Sequence, residues 1–227
     1  MKNINFFEKQ LNISSKIRIN KKLSSAGLAC VVAAMVPMTG ITGEVDERGL
    51  YDLAPENSAF VRLINLTAQT QKVHSNEVDL SVIGHCAASS YQPIQAGSYV
   101  FQSDGEALTS AIDANLAYSV VVDYSGMRLI VDKMVESPRK SLVAVYNFTS
   151  RSGLSVKTAN GQHSVFSQLS SGDYAFREIN PVKVSFSIFS EDKNLSDVKA
   201  IVFERGVVSS LLLCERDGAI ATTWARQ

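Results

Sequence analysis

Two stretches of this sequence, SAFVRLINLT (58–67) and KSLVAVYNFT (140–149), follow the same pattern at an offset of 82 residues. Apolar and β-branched residues dominate each stretch, which is typical of a β-strand. Alternation puts Ala59, Val61 and Leu63 on one face of the first strand and Arg62 on the other face. The equivalent pairs are Val61 with Val143, Leu63 with Val145, Asn65 with Asn147, and Thr67 with Thr149. This recurrence predicts a duplicated β module.

Two hairpins close the two copies. AYSVVVDYSGMRLIVD (117–132) indicates a hairpin with its turn at Tyr124-Ser125-Gly126. VSSLLLCERDGAIATTW (208–224) indicates a second hairpin, in which Asp217-Gly218 is a strong turn signal. Short strands bounded by Gly, Asn and Asp fill the remainder, and no long amphipathic helix is expected.

The repeat and its boundaries predict the domain organisation. We expect an all-β protein with two tandem antiparallel β-sandwich modules, at residues 58–136 and 139–227. A polar lead-in, residues 44–57, precedes them, and Pro138 marks the boundary between them.

Asn65 and Asn147 each begin an Asn-x-Thr triplet. Such a triplet can be a glycosylation acceptor. Because both asparagines fall at the same point of the repeat, we expect each to end its strand and to close a turn through its side chain.

Residues 1–43 have the organisation of a secretory signal peptide. Six basic residues and one acid lie there, and the basic stretch ending at Lys22 runs into LSSAGLACVVAAMVPMTGITG (23–43). The apolar run falls short of the roughly 20 residues that a membrane-spanning helix needs. We predict cleavage after Gly43, with a retained anchor or a lipoprotein processed at Cys30 as the alternatives.

Charge is divided unevenly along the rest of the chain. Residues 44–138 carry a net charge of −8, and residues 139–227 carry +3. This asymmetry indicates two faces for two kinds of partner. No run of like charges suggests nucleic-acid binding.

The usual catalytic motifs are missing from the sequence. It contains no G-x-S-x-G, no H-E-x-x-H, no P-loop and no dinucleotide-binding glycine motif. His85 adjoins Cys86, but nothing in the sequence completes a zinc site around them. We therefore expect no catalytic residue, no metal and no cofactor, although a Ser-His-Asp triad assembled in space stays open.

Cys86 and Cys214 remain after removal of the signal peptide. In an exported protein a disulfide between them is permitted, and it would tie the two modules together. They occupy different positions in the repeat, so two separate buried thiols are the simpler expectation.

The most distinctive polar cluster lies in FREINPVKVSFSIF (176–189), where Arg177, Glu178, Asn180 and Lys183 surround Pro181. Since proline cannot donate to a strand ladder, Pro181 marks a strand edge or a switch between sheets. The cluster is a candidate surface for a partner protein or an anionic sugar. The alternative is a structural corner whose charges stay solvated or pair with one another.

Three segments carry a resemblance to a known family: GLYDLAPENSAFVRLINLT (49–67), IQAGSYVF (94–101) and REINPVKVSFSIFSEDKNLSDVKAIVFERG (177–206). Together they resemble the AlgF family, the periplasmic accessory proteins of bacterial alginate O-acetylation. The resemblance covers essentially all of the chain after the signal peptide, in the same order.

The resemblance implies a function. In such systems a membrane-bound O-acyltransferase exports acetyl equivalents, and periplasmic serine-esterase-like proteins place them on the polymer. An AlgF-type protein is required for acetylation but looks like a non-catalytic adaptor, located in the periplasm and bound to other proteins of this machinery. The partner enzymes carry a G-D-S motif, whereas Gly172-Asp173 is followed here by Tyr174.

Two further functions are open at this stage. The chain could bind the acidic polysaccharide itself through the basic second module. Such a module would present an exposed aromatic platform, but Trp224 lies in an apparent strand and is expected in the core. The chain could also relay acetyl groups within the acetyltransferase complex, but no activating base is visible.

Overall fold

The computed structural model describes residues 54–82 and 84–227. Signal-peptide cleavage and most of the lead-in therefore concern positions outside the described residues. Within the described part every regular element is a strand, and it holds no helix that could cross a membrane. The all-β prediction is confirmed.

Nine strands lie in the first half of the described chain: β1 Ser58–Asn65, β2 Gln71–His74, β3 Asp79–Val82, β4 Ala87–Ala88, β5 Gln92–Gln95, β6 Gly97–Ser103, β7 Glu106–Ile112, β8 Ala117–Asp123 and β9 Gly126–Asp132. Eight lie in the second half: β10 Ser141–Asn147, β11 Leu154–Thr158, β12 Ser164–Leu169, β13 Tyr174–Ile179, β14 Lys183–Ser190, β15 Lys193–Val202, β16 Val208–Arg216 and β17 Ala219–Arg226.

The strands form four open sheets, two in each half. Sheet 1 has the order β4-β1-β8-β9, with β5 also paired to β1, and sheet 2 has the order β3-β2-β6-β7. Sheet 3 has the order β13-β10-β16-β17, and sheet 4 has the order β12-β11-β14-β15. Sheets 1 and 3 therefore have matching central strands.

The central pairs of sheets 1 and 3 are parallel, so the expectation of purely antiparallel sheets is wrong. Strand β1 runs parallel to β8, and β10 runs parallel to β16. Parallel neighbours need a long connection between them. Here the connection runs mainly through the strands of the other sheet of the same half, rather than through a helix.

Each half has its own apolar core, drawn from both of its sheets. In the first half Val61 and Val120 of sheet 1 cluster with Leu80 and Phe101 of sheet 2. In the second half, sheets 3 and 4 supply the members in the same way. Trp224 is half-buried and packs against the edge of this second core, with its ring centroid 5.7 Å from that of Phe203, so the expected core role holds only in part.

The predicted hairpin turns are confirmed. Strand β8 ends at Asp123 and β9 begins at Gly126. Asp217 and Gly218 join β16 to β17, and both have positive φ values, 52° and 75°. A two-residue turn with both φ values positive matches the twist of a hairpin, which explains the Asp-Gly pair.

The side chains of Asn65 and Asn147 close turns in the same way. Asn147 is fully buried, its Oδ1 accepts hydrogen bonds from the backbone N–H and hydroxyl of Thr149, and its Nδ2 donates to the carbonyl of Arg151. Asn65 is equally buried and makes the equivalent bonds with Thr67 and Gln69. The structural role is confirmed, and a buried amide is no glycosylation acceptor.

Candidate functional site at the junction of the two halves

Sheets 1 and 3 meet at a third apolar cluster. Strand β1 is buried along its whole length and so is β10, because one face of each strand points into its own core and the other faces this junction. Ile64 and Val121 of the first half cluster here with Ala144, Tyr146 and Leu212 of the second. The face of β1 that carries Arg62 is therefore an interior face.

Arg62 lies at the junction with its side chain fully buried. Its Nε donates to Ser119 Oγ at 2.8 Å, its Nη1 to Ser210 Oγ at 2.9 Å, and its Nη2 to the Tyr146 hydroxyl at 2.8 Å. Ser119 belongs to the first half, whereas Ser210 and Tyr146 belong to the second. One guanidinium therefore joins both halves.

Asp132 is the counterion. Its Oδ2 lies 3.7 Å from Arg62 Nη2 and accepts hydrogen bonds from the Tyr91 hydroxyl at 2.6 Å and from Ser119 Oγ at 2.5 Å. Its Oδ1 accepts from the Tyr146 hydroxyl at 2.7 Å. The Arg62 guanidinium also stands 4.6 Å from the centre of the Tyr91 ring, a cation–π distance.

Burial and charge together set the protonation of this network. Burial opposes the charged form of Arg62, but Tyr91, Tyr146 and Asp132 outweigh it and hold the pKa of Arg62 above its ordinary range. Burial raises the pKa of both tyrosines, and Arg62 offsets only part of that rise. Both charged groups of the network, Arg62 and Asp132, are buried.

Cys86 and Cys214 form a disulfide that links the two halves. The expectation of two separate thiols is wrong, because the docking of the halves brings the residue before β4 next to β16. A cysteine in a disulfide also has no thiolate to offer a metal or an acyl group.

His85 spans the same boundary. Its Nδ1 lies 2.7 Å from the carbonyl oxygen of Leu66 in the first half, and its Nε2 lies 3.2 Å from that of Glu215 in the second. Both ring nitrogens thus face main-chain acceptors. His74 and His163 lie at exposed positions.

Above the disulfide the two halves leave a cleft of about 280 Å³. Its walls include Tyr124 and Arg128 from the first half and Phe148 and Glu215 from the second. Tyr124 is 80% exposed, and its hydroxyl accepts a hydrogen bond from the backbone N–H of Ala68. The ring is therefore held in place while most of its surface stays open to solvent.

The charges of the cleft are paired. Arg128 forms an ion pair with Asp123 and places its guanidinium 5.7 Å from the centre of the Phe148 ring. Glu215 accepts from the backbone N–H of Ser150, and this bond holds the pKa of that carboxyl below its usual range. The cleft lining combines an exposed aromatic ring with one arginine and two carboxylates, and the second carboxylate, Glu215, pairs with Arg151, which is not part of the lining.

The predicted cluster around Pro181 lies at the far end of the second half, away from this cleft. Glu178 Oε1 accepts hydrogen bonds from the backbone N–H groups of Glu136 and Ser137, and Asn180 Oδ1 accepts from Lys140 Nζ. These two residues hold the segment that connects β9 to β10.

Arg177, Asn180 and Lys183 are exposed, whereas Glu178 is half-buried. Arg177 donates to the carbonyl of Val165, and Lys183 begins β14. Strand β13 belongs to sheet 3 and β14 to sheet 4, so Pro181 does mark a switch between sheets, as predicted.

Sequence reasoning missed Arg62, Asp132, Tyr91 and Tyr146. One signal was available, because Arg62 aligns with Ala144 in the repeat. A charge that replaces an alanine at a central strand position indicates a function that only one copy has.

These features define the class as an all-β protein of two packed halves, joined by a disulfide and a buried ionic network. The chain matches the model of the family described as alginate O-acetyl transferase AlgF over residues 33–210. It is 31% identical to the alginate biosynthesis protein AlgF of Pseudomonas aeruginosa, over 88% of this chain and 92% of that protein. It is 30% identical to the protein of the same name from Pseudomonas putida, over 93% of this chain and 96% of that one.

A solved structure of the C-terminal domain of AlgF from P. aeruginosa aligns with 39% of this chain and 99% of its own length, at 36% identity and a TM-score of 0.36. By the family match the chain belongs to the AlgF family, as the sequence predicted. Membership supports a role in alginate biosynthesis.

The Arg62 network predicts a strong dependence of stability on its paired charges. Arg62→Leu should lower the free energy of unfolding by about 3–5 kcal/mol, because it leaves the Asp132 carboxylate buried without its counterion. Arg62→Leu combined with Asp132→Leu should cost clearly less than the sum of the two single changes. Urea unfolding monitored by circular dichroism measures both, and a single-variant loss below about 1 kcal/mol would contradict the role assigned to the pair.

The buried tyrosines predict a loss of stability in alkali. The folded protein keeps the Tyr91 and Tyr146 phenols protonated, whereas the unfolded chain releases their protons above pH of about 10. Stability is thus fully present below that pH and falls as pH rises, by up to about 1.4 kcal/mol per pH unit for each tyrosine. Chemical unfolding at a series of pH values should show a shallower fall for Tyr146→Phe and an unchanged slope for the exposed control Tyr124→Phe. Equal slopes for all three proteins would show that the buried phenols do not titrate on unfolding.

Proposed function

We propose that this protein is a non-catalytic periplasmic adaptor required for the O-acetylation of alginate or a similar exopolysaccharide. Membership of the AlgF family supports the assignment to alginate biosynthesis. The observation that carries the adaptor role is the placement of His85, whose two ring nitrogens both face main-chain carbonyls. A histidine held in this way is not positioned to take a proton from a serine hydroxyl.

The disulfide supports a periplasmic location. Disulfides persist in oxidising compartments, among them the bacterial periplasm, and are rare in the cytosol. The Cys86–Cys214 bridge joins residues 128 positions apart, and in the chain-entropy model so long a loop makes it a strong constraint on the unfolded state. The proposed signal peptide, residues 1–43, would deliver the chain to that compartment.

The architecture supports a duplicated origin. The pairing of β10 with an antiparallel β13 and a parallel β16 repeats that of β1 with β5 and β8. We infer that residues 58–136 and 139–227 are two β-sandwich modules in tandem. A protein of two fixed modules can present separate surfaces to separate partners, which suits an adaptor.

The contact surface is proposed at the corner that carries Arg177, Glu178, Asn180 and Lys183. Glu178 and Asn180 fix the connecting segment, while the two exposed cations face solvent. The corner would meet other proteins of the acetylation machinery.

A deletion strain and the purified protein test the adaptor role. Deletion should remove acetyl groups while polymer is still made, and the full-length gene should restore them. The purified protein should not hydrolyse a chromogenic acetate ester. Robust turnover that is lost when one serine is replaced would establish an enzyme instead.

The cleft favours a second function, binding of the acidic polymer. Tyr124 offers an exposed ring face for a sugar, and a uronate carboxylate would compete with Asp123 for the guanidinium of Arg128. Isothermal titration with uronate oligosaccharides should show binding that weakens with salt and is lost in Tyr124→Ala. Trp224→Phe serves as a control aromatic change outside the cleft. Equal binding by Tyr124→Ala and the unaltered protein would exclude the cleft.

A further inference from the structure

Strand β13 lies at one edge of sheet 3, and only every second residue of it is bonded to β10. The backbone N–H of Asn147 donates to the carbonyl of Asp173 at 2.8 Å, just before β13 begins. In an antiparallel pair the bonded positions recur at every second residue. The register of β13 against β10 therefore assigns the next bonded positions to Ala175, Arg177 and Ile179.

The alternate residues Tyr174, Phe176 and Glu178 turn their N–H and C=O groups to the other side of β13. No strand of the described chain pairs there, and these groups make no hydrogen bond with any described residue. Arg177 points to the opposite face of the sheet, where it donates to the carbonyl of Val165 in sheet 4. We call the row of main-chain groups of Tyr174, Phe176 and Glu178 the free edge of β13.

The first half protects its equivalent edge. Strand β5, which pairs with β1 as β13 pairs with β10, contains Pro93, and proline has no N–H to offer. The N–H of Gln95 donates to the carboxylate of Glu77 at 3.0 Å. Natural proteins protect sheet edges by such devices against pairing with another chain. Strand β13 contains no proline, and its register with β10 has no bulge, so the second half leaves open an edge that the first half closes.

Aromatic rings and the cleft flank the free edge. Tyr174 is 43% exposed, and its ring centroid lies 5.7 Å from that of Phe176. Gly172, two residues before Tyr174, belongs to the lining of the cleft. At the other end, Glu178 holds the segment that connects β9 to β10. The free edge therefore runs from the cleft to the connecting segment, a length of roughly 17 Å at about 3.4 Å per residue.

We propose that the free edge of β13 binds an extended segment of a partner protein, which adds to sheet 3 as a further strand. Main-chain hydrogen bonds would hold the segment, and apolar side chains at its alternate positions would pack on Tyr174 and Phe176. A segment that continues past Gly172 would bring its next side chain to the cleft, beside Phe148. This inference rests on the adaptor function proposed above, and Glu178 belongs both to the free edge and to the corner proposed there as the contact surface.

A second copy of this chain fits the free edge less well than a partner segment. Antiparallel pairing of two β13 strands that used all three free residues would put each Tyr174 opposite Glu178 of the other copy. That carboxylate already accepts hydrogen bonds from the N–H groups of Glu136 and Ser137, so the connecting segment lies where the tyrosine would pack. A sugar chain has no row of amide groups with which to continue the ladder.

Site-specific photo-crosslinking identifies the segment. A photoreactive phenylalanine analogue replaces Tyr174 of the full-length protein in cells that make acetylated polymer, and mass spectrometry locates the crosslinked residue in the product. The matched control is Val100, which is 44% exposed on β6 of the first half. We expect position 174, and not position 100, to crosslink to one segment of one other protein.

Hydrogen exchange then distinguishes an added strand from a contact between side chains. A synthetic peptide with the sequence of the crosslinked segment is added to the isotope-labelled protein, and amide exchange is followed by NMR. Without the peptide, the amides of Tyr174, Phe176 and Glu178 should exchange fast and those of Ala175 and Arg177 slowly. With the peptide, exchange at the first three should slow at least tenfold.

A proline at the free edge supplies the variant test. Phe176→Pro removes one N–H from the free edge but no hydrogen bond to β10. Phe176→Ala is the matched control, because it removes the same ring and keeps the N–H. Isothermal titration with the peptide should show at least tenfold weaker binding by Phe176→Pro than by Phe176→Ala. Circular dichroism and thermal unfolding establish that each variant is folded, and the exchange measurement on the unaltered protein does not depend on either.

Four outcomes would overturn the inference: equal crosslinking at positions 174 and 100, crosslinks only to polysaccharide or to a second copy of this chain, exchange at the free edge that stays fast with the peptide, or equal binding by the two folded variants. The adaptor function fails separately, if deletion leaves acetylation intact. A folded Phe176→Pro variant that restores acetylation and binds the peptide normally would overturn the role of the free edge alone.

Discussion

The buried charge of Arg62 is the constraint on which the arrangement of the two halves depends. A guanidinium removed from water costs several kcal/mol unless its donors and its charge are satisfied. Its acceptors come from both halves, with Ser119 and Asp132 on one side and Ser210 and Tyr146 on the other. Only one docking of sheet 1 on sheet 3 brings them together. An apolar junction alone would tolerate sliding, but this network fixes the register between the halves.

The cleft and the corner around Pro181 depend on that register in different ways. The cleft has one wall from each half, so its shape exists only while the halves are docked. The corner around Pro181 lies within the second half, but Glu178 and Asn180 also tie it to the connecting segment. The disulfide and the Arg62 network therefore hold the two halves together, so that the surfaces of each half keep fixed positions relative to one another.

Local sequence patterns predicted the elements that local physics determines. The alternation of apolar residues predicted the strands around Val61 and Val143. The Asp217-Gly218 pair predicted a turn that needs two positive φ values, and the repeated asparagines predicted the side chains that close turns. Pro181 predicted the switch between sheets from a local property as well, because proline lacks the backbone N–H that a strand ladder needs.

The junction could not be predicted, because its partners are far apart in sequence. Arg62 and Ser210 are 148 residues apart, and Cys86 and Cys214 are 128 apart, so no periodicity links them. The parallel pairing of β1 with β8 could not be predicted for a related reason. A strand that is buried on both faces has an apolar pattern that does not show in which direction its neighbour runs. What the repeat did contain was a break in its own symmetry, Arg62 opposite Ala144. Arg62 is buried at the junction, where it bonds to Ser210 of the other half, so at this position the difference in charge between the two similar stretches coincides with their contact.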